Sequence, residues 1–591
     1  MGDNRTATAT RPARPGAPAR RSGAAGRLGR SPFSLVTALI AVGVLALVLF
    51  PLGRMVVRAF EGFGHQRWES LVGAPWFSGM LRDTVVVVGA SAVIALLVAA
   101  LLAWINERTD AGIGMLGDVL PLVPLFLPTV AMAVGWVLLA NPDVGLLNGA
   151  LGVVLEPLGI SYEFNIFSYP GLILVYVLNL VPFAYLPIAA GFRSMDPSLE
   201  EAARVSGARA SRVLRTVSLP AIGPAVLAGL LLVMVVGFAL YSVPVIIGTR
   251  PDIDILAVRI IRSIRQTYPP AYDDAVLLST MLLALLLVLW VAQRRLVGSG
   301  QFARIGSRST GSSRIELGPW RWPMRSLLWL YVTLAAVLPI LALGIVSFQT
   351  YWQPDLLASE WTFAHYERIL FGYPLGQRSV ENSLFLGLVG GGITVLVAAL
   401  VIVYAHRRRN LLGKVADAVA KLPAAVPNTV LALAFVLALA GPPFQLGATL
   451  LILALAYFVV YIPYASIASE ASVASVDNSM EEASGVSGAG EGRTFARILV
   501  PLMAPGLFAA WALVFVRILG DLPVAVLLGT GRTPVIGFVL LDVWDQGIFN
   551  RVAALALVMT AITVPVVMVM MWLGRPRWRR AKRARAYRAR A

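Results

Sequence analysis

Two charged residues within one apolar segment are the first candidates for chemistry in this sequence. Arg517 and Asp521 lie four positions apart in the run VRILGDLP, a spacing that places two side chains on one face of a helix. Charged groups inside apolar segments are costly and commonly functional. The pair predicts either a polar lining for a transport pathway or an internal ion pair that holds neighbouring helices together.

Asn179 is a third polar candidate, with the same two interpretations. The chain has no cysteine, and its three histidines, His65, His365 and His406, are far apart in the sequence. Thiolate sites and histidine-rich metal clusters are therefore excluded, and we identify no catalytic residue and no metal site. No GxxxxGK[ST] phosphate loop occurs, so the sequence predicts no nucleotide chemistry of its own.

The composition indicates that these residues belong to a membrane protein. The 591 residues are 58% hydrophobic and 14% charged, whereas soluble domains are about 25% charged. Apolar runs of about 20 residues, the length that crosses a bilayer, form two groups of six. They lie near residues 33–52, 84–105, 117–140, 170–192, 221–247 and 275–293, and near 325–348, 383–404, 420–440, 447–468, 502–528 and 551–574.

The two groups are internal repeats. LVAAL at 97–101 recurs at 396–400, and VPFAY at 181–185 corresponds to IPYAS at 462–466. We therefore predict an all-α polytopic membrane protein of twelve transmembrane helices, built as two homologous six-helix halves with the same orientation. Parallel repeats of this kind place a pathway between the halves.

Arginine-rich segments divide the chain and orient it. Seven arginines precede the first apolar run and nine basic residues follow the last. The net charge is +18, and the basic residues cluster beside apolar segments, as the positive-inside rule describes. We therefore predict a chain in the lipid bilayer with both tails in the cytoplasm. The charge calls for no nucleic-acid partner. The predicted parts are a disordered tail 1–30, a first half 31–297, a linker 298–322, a second half 323–574 and a tail 575–591.

Two charged stretches occupy equivalent positions between the fourth and fifth runs of each half. EEAARVSGARASRVLRTVSLP spans Glu200 to Pro220, and EEASGVSGAGEGRTFARILVP spans Glu481 to Pro501, with the same skeleton 281 positions later. A solvated cytoplasmic loop explains the charge, but not the repeated spacing. We expect an aspartate to cap a helix in each stretch and a glycine to turn the chain sharply: Asp196 and Asp477, and Gly207 and Gly488.

The first stretch resembles the EAA loop of the membrane subunits of ABC importers. That pattern reads Glu-Ala-Ala, three residues, Gly, nine residues, Ile, one residue, Leu-Pro. The first stretch departs from it only at Val217, in place of Ile. The second departs at Ser484, in place of Ala, and at Val500, in place of Leu. The resemblance covers nearly the whole chain and implies two fused permease halves of the type I ABC importer fold. Loops 196–220 and 477–501 would each form a helix that couples to an ATPase. The coupling residues implied are Glu201, Ala202, Ala203 and Gly207, and Glu482, Ala483, Ser484 and Gly488.

The same resemblance implies partners and a location. These are two copies of a cytoplasmic ABC ATPase, an external substrate-binding protein, and the bacterial inner membrane with both termini cytoplasmic. It implies no cofactor in this chain, because ATP and Mg²⁺ bind to the ATPase. Segments 243–260, 361–388 and 520–540 resemble the ferric iron group of permeases most, with thiamine, phosphonate and polyamine relatives as alternatives.

Two other classes of protein remain as alternatives. An ion-coupled secondary transporter could also be built from parallel repeats, but it would need no paired coupling loops. A membrane-embedded enzyme would need convergent acid, base or metal-binding groups within the spans, and the sequence offers no such group of residues.

Overall fold

The computed structural model of the chain is a bundle of membrane-spanning helices. It describes residues 32–62, 65–155, 157, 159, 163–297, 314–408, 411–474, 476–477 and 479–574. The tails 1–30 and 575–591 and most of the linker 298–322 lie outside these residues. Within the described ranges, nine helices are long and apolar enough to cross a membrane, and three bent helix pairs bring the spans to twelve. The predicted twelve-helix fold is confirmed.

We number the spans in chain order. Nine are single helices: Leu35–Glu61 (span 1), Phe77–Arg108 (2), Tyr169–Ser194 (4), Tyr272–Leu296 (6), Gly318–Phe348 (7), Pro374–His406 (8), Leu450–Ala474 (10), Glu491–Leu519 (11) and Phe549–Leu573 (12). Three are bent pairs: Leu116–Phe126 with Thr129–Ala140 (span 3, 88°), Leu214–Ala221 with Gly223–Ala239 (span 5, 68°) and Leu411–Ala425 with Asn428–Ala440 (span 9, 110°).

Proline breaks spans 3 and 9 at equivalent places, where the sequence predicted uninterrupted runs. Leu127 and Val426 have extended backbones, with φ/ψ of −100°/140° and −110°/127°. Each precedes a proline, Pro128 or Pro427, and a proline ring disfavours helical backbone in the residue before it. Each of these spans therefore turns sharply within its length.

Spans 5 and 11 end earlier than the apolar runs predicted. Span 5 ends at Ala239 and span 11 at Leu519, and the short helices Ser242–Ile247 and Pro523–Leu528 follow them. The two halves thus share these interruptions, whereas the bend within span 5 has no counterpart in span 11. Each half then forms one further helix before its last span, Leu256–Arg265 or Ile536–Asp545.

The first span of each half packs against the other half. Span 1 lies against spans 8 and 9, and the ring of Phe33 near its start is 5.6 Å from that of Phe495 in the second charged stretch. Span 7 lies against Thr129–Ala140, and the Tyr331 hydroxyl donates to the Leu178 carbonyl at 3.0 Å. A single hydrophobic core therefore includes residues of both halves.

Candidate functional site

The two charged stretches fold alike. A short helix follows an aspartate in each, Pro197–Val205 after Asp196 and Ser479–Val486 after Asp477. One carboxylate oxygen of each aspartate accepts a hydrogen bond from the backbone N–H two residues later, at 3.0 Å and 2.9 Å, which confirms the predicted caps. These hydrogen bonds lower the pKa of both aspartates, so both stay ionised beside the positive end of a helix dipole.

A glycine ends each helix. Gly207 and Gly488 have φ of +83° and +78°, a left-handed conformation that glycine adopts without steric cost. The N–H groups of Gly207 and Ala208 donate to the carbonyls of Arg204 and Ala203 at 2.8 and 3.1 Å, and the second helix repeats both bonds at 3.0 and 3.1 Å. This is the Schellman pattern of helix ends, and it confirms the predicted sharp turns.

A buried charge pair fastens the first helix to the ends of spans 2 and 4. Glu200 is fully buried; one of its carboxylate oxygens accepts from the Ser218 hydroxyl at 2.6 Å, and the other lies 3.7 Å from Arg108 Nη1. Arg108 is also buried, and its Nη2 donates to the carbonyls of Phe192 and Met195 at 2.6 and 3.0 Å. Because an unpaired buried charge is very costly, the pair fixes the helix relative to both spans.

The second helix is fastened through different groups. The hydroxyl oxygens of Ser484 and Thr494 are 2.8 Å apart, and both side chains are buried. The helix of span 1 begins at Pro32, and the ring of Phe33 in its first turn lies against Gly492 and Phe495 at the start of span 11. The second stretch is therefore in contact with both halves of the chain.

The sequence analysis did not single out one buried residue and two highly exposed residues of these helices. Glu200 is the inward anchor, while Val205 and Val486 are 90% and 91% exposed. The sequence did contain a signal for the two valines, because they occupy equivalent positions in the two charged stretches. Of the eight predicted coupling residues, six are exposed, one is half-buried and one is buried. The six exposed residues are Glu201, Ala202, Gly207, Glu482, Ala483 and Gly488, whereas Ala203 is half-buried and Ser484 is buried.

A cavity of about 180 Å³ lies between the two halves. The breaks in spans 3 and 9 and the early ends of spans 5 and 11 all border it. Broken helices between structural repeats are typical of transport sites. The lining residues occur in equivalent pairs from the two halves: Pro128 and Pro427, Phe183 and Tyr464, Val236 and Arg517, and Leu240 and Asp521.

Asp521 lies in the cavity wall, but the predicted common helix face with Arg517 is wrong. Span 11 ends between the two residues, and within the described chain their side chains form no ion pair. Instead, Asp521 Oδ1 accepts from the Tyr461 hydroxyl at 2.8 Å and from Asn428 Nδ2 at 2.9 Å, and Oδ2 accepts from the Val524 N–H at 2.8 Å. The carboxylate therefore connects spans 9 and 10 to the short helix after span 11.

Arg517 lies between aromatic rings of the two halves. Its guanidinium carbon is 5.9 Å from the ring centres of both Phe183 and Tyr464, the range of a cation–π contact. Its Nε is buried without a hydrogen-bond partner among the described residues. Asn179 is half-buried in span 4 and lies outside the lining of this cavity, so its predicted pathway role gains no support.

Residues 91–297 and 390–576 each match the family described as binding-protein-dependent transport system inner membrane component. The chain belongs to this family. Because the match occurs twice, the chain is a fused two-half permease of an ABC importer. The family comprises multi-pass transport permeases rather than enzymes, and it implies an ATPase and a substrate-binding protein as partners.

Several relatives of this permease have descriptions of their own. The ferric transport system permease protein of Actinobacillus pleuropneumoniae is 21% identical over 553 residues, which cover 91% of this chain and 78% of the relative. A putative ferric transport system permease protein of Haemophilus influenzae is 22% identical over 504 residues, covering 83% and 77%. A putative 2-aminoethylphosphonate transport system permease protein of Salmonella paratyphi A is 29% identical over 229 residues, covering 36% and 76%.

A prediction follows for the buried anchor of the first short helix, Pro197–Val205. Glu200→Gln removes the charge beside Arg108 but keeps an oxygen for Ser218. We expect a loss of roughly 3 kcal/mol in the free energy of unfolding, measured as a lower thermal midpoint in detergent. The control Glu201→Gln alters an exposed neighbour and should cost under about 1 kcal/mol. Equal midpoints for the two variants would contradict the anchoring role.

Proposed function

We propose that this permease imports ferric iron across the bacterial inner membrane, driven by two copies of a cytoplasmic ABC ATPase and supplied by an external binding protein. The observation that carries the proposal is the pair of equally capped helices, each of which leads directly into a span that lines the shared cavity. Ferric iron as the cargo is supported by the ferric transport relatives, which align along most of the chain.

The exposed sides of the two short helices are the proposed ATPase contacts. Ala202 and Ala483 are small enough for close approach, and Val205 and Val486 offer apolar contacts at matching positions. Gly207 and the equivalent glycine of the second loop turn the chain back toward the membrane. ATP and Mg²⁺ bind to the ATPase subunits in this proposal, and the present chain supplies only the docking surfaces.

The mechanical path to the cavity is short in both halves. In the first half, the Glu200–Arg108 pair links the coupling helix to spans 2 and 4, and the chain continues into span 5. In the second half, span 11 is one helix from Glu491 to Leu519, and it carries Arg517 in the cavity wall. A displacement of either coupling helix is thereby transmitted to a wall of the proposed pathway, which includes Arg517 and Asp521.

The orientation that we propose places both termini and both coupling helices in the cytoplasm. Twelve spans return the chain to the side where it starts. Four arginines lie in the first coupling loop, and the predicted tails are basic as well, so the positive-inside rule assigns this side to the cytoplasm. The loop before span 6 then lies outside.

Single cysteines test this orientation, because the natural chain has none. Tyr268 is 100% exposed before span 6, and Val205 is 90% exposed on the first coupling helix. In right-side-out spheroplasts that produce the permease without its ATPase, an impermeant maleimide should label Tyr268→Cys. It should label Val205→Cys only after permeabilisation. The reverse pattern would place the coupling helices outside and end the proposal.

The glycine turns provide a test of coupling. Gly207→Val and Gly488→Val place a β-branched residue at positive φ, a conformation that such residues rarely adopt. We expect normal amounts of permease in the membrane but at least a tenfold loss of uptake in the double variant. Gly53→Val, at an exposed helical position of span 1 where a side chain meets no other group, is the control and should retain most uptake. Normal uptake by the double variant would refute the coupling role.

The cargo is tested in a strain that lacks the gene. Uptake of radiolabelled ferric iron should fall in the deletion strain and return when the gene is restored. Labelled thiamine, 2-aminoethylphosphonate and a polyamine are measured in parallel. Unchanged iron uptake together with lost uptake of one of these compounds would reassign the cargo and leave the ABC importer mechanism in place.

A further inference from the structure

The two halves of the cavity wall differ in charge. Arg517 and Asp521 of the second half stand where the first half has Val236 and Leu240. The other described residues that line the cavity have apolar or neutral polar side chains, such as the hydroxyl of Ser242. Any charge preference of the cavity is therefore set by one arginine and one aspartate.

Groups of the protein itself already form hydrogen bonds with the Asp521 carboxylate. Both of its carboxylate oxygens accept hydrogen bonds, from Tyr461 and Asn428 on one oxygen and from the Val524 N–H on the other. A cation that drew the Asp521 carboxylate away would leave these donors without their acceptor, which is unfavourable where water is largely excluded. Asp521 is thus a structural acceptor rather than a free ligand for cargo.

The Arg517 side chain lies between two aromatic rings, and its guanidinium group has hydrogen-bond donors that no described residue accepts from. Phe183 and Tyr464 lie near its guanidinium group from opposite halves, and such ring contacts use the face of the group and leave its N–H edge available. Among the described residues the guanidinium group makes no hydrogen bond and no ion pair; its Nε–H is buried, so the two Nη groups are the donors that the cavity can reach. A guanidinium edge matches the paired oxygens of phosphate and carboxylate groups, with which it forms strong charge-assisted hydrogen bonds.

We propose that Arg517 binds an oxyanion group of the cargo, a phosphate, phosphonate or carboxylate, as the cargo crosses the cavity. This inference rests on the proposed function, since it requires the cavity to lie on the transport pathway. A bare trivalent cation is repelled by an unpaired guanidinium group. Ferric iron therefore crosses as a complex with oxyanion ligands that face Arg517, whereas a phosphonate cargo presents the oxyanion itself.

The experiment uses the complete transporter, reconstituted in proteoliposomes from this chain, its ATPase and its binding protein. Radiolabelled ferric iron is supplied with labelled phosphate or labelled citrate, and 2-aminoethylphosphonate is supplied alone in a separate arm. In the wild type, anion label should accumulate with iron in a fixed ratio, and the arms identify the source of the oxyanion. Phosphonate uptake without iron uptake would also support the oxyanion site.

Variants at Arg517 test the residue itself. Arg517→Met should reduce uptake on the order of tenfold or more, because charge-assisted hydrogen bonds are lost, and Arg517→Lys should retain part of it. Arg295→Met, which removes an exposed arginine at the end of span 6 and outside the cavity lining, is the control and should transport normally. Thermal midpoints establish that each variant is folded.

The outcomes separate this inference from the proposed function. Iron that enters the wild-type vesicles without any anion label overturns the inference alone, and this readout needs no variant. Equal uptake by Arg517→Met and the wild type does the same. A wild-type transporter that moves phosphonate but no iron overturns ferric iron as the cargo and leaves the oxyanion site standing, whereas one that moves neither overturns the proposed function, and the oxyanion site falls with it.

Discussion

The structure depends on a single constraint, which is that backbone N–H and C=O groups need partners wherever lipid excludes water. Helices satisfy this need, so each interruption of a helix must lie inside the protein or beside a solvated space. The breaks after Leu127 and Val426 and the early ends of spans 5 and 11 all border one cavity. Asp521 shows how the interruption is stabilised, since it accepts the Val524 N–H at the start of the next helix.

The two short capped helices obey a second constraint, because the coupling that we propose requires each helix to be held firmly against the neighbouring spans. The first is held by a buried ion pair and the second by a hydroxyl contact with the start of span 11, which itself packs against a ring from the opposite half. These fastenings face the membrane and leave alanine, valine and glutamate side chains exposed. One face of each helix is thus structural, and the other is available to a partner.

Local patterns in the sequence were sufficient to predict the spans, the repeat, the aspartate caps and the glycine turns. Each depends on run length or on one residue type at one position. Hydropathy could not reveal the breaks in spans 3 and 9, because one extended residue before a proline barely changes the average over a span. The partners of Asp521 were also out of reach, since Tyr461 and Asn428 are 60 and 93 positions away and only the tertiary fold brings them together.

The fused chain allows an asymmetry that two identical subunits cannot have. In a permease assembled from two copies of one polypeptide, a cavity on the symmetry axis receives every side chain twice, so it holds two guanidinium groups or none. Duplication followed by fusion lets each copy change alone, and Arg517 opposite Val236 is the result here. The cavity consequently has a charged wall and a neutral wall, and in the passage that we propose, an elongated cargo with one anionic end has a preferred sideways orientation.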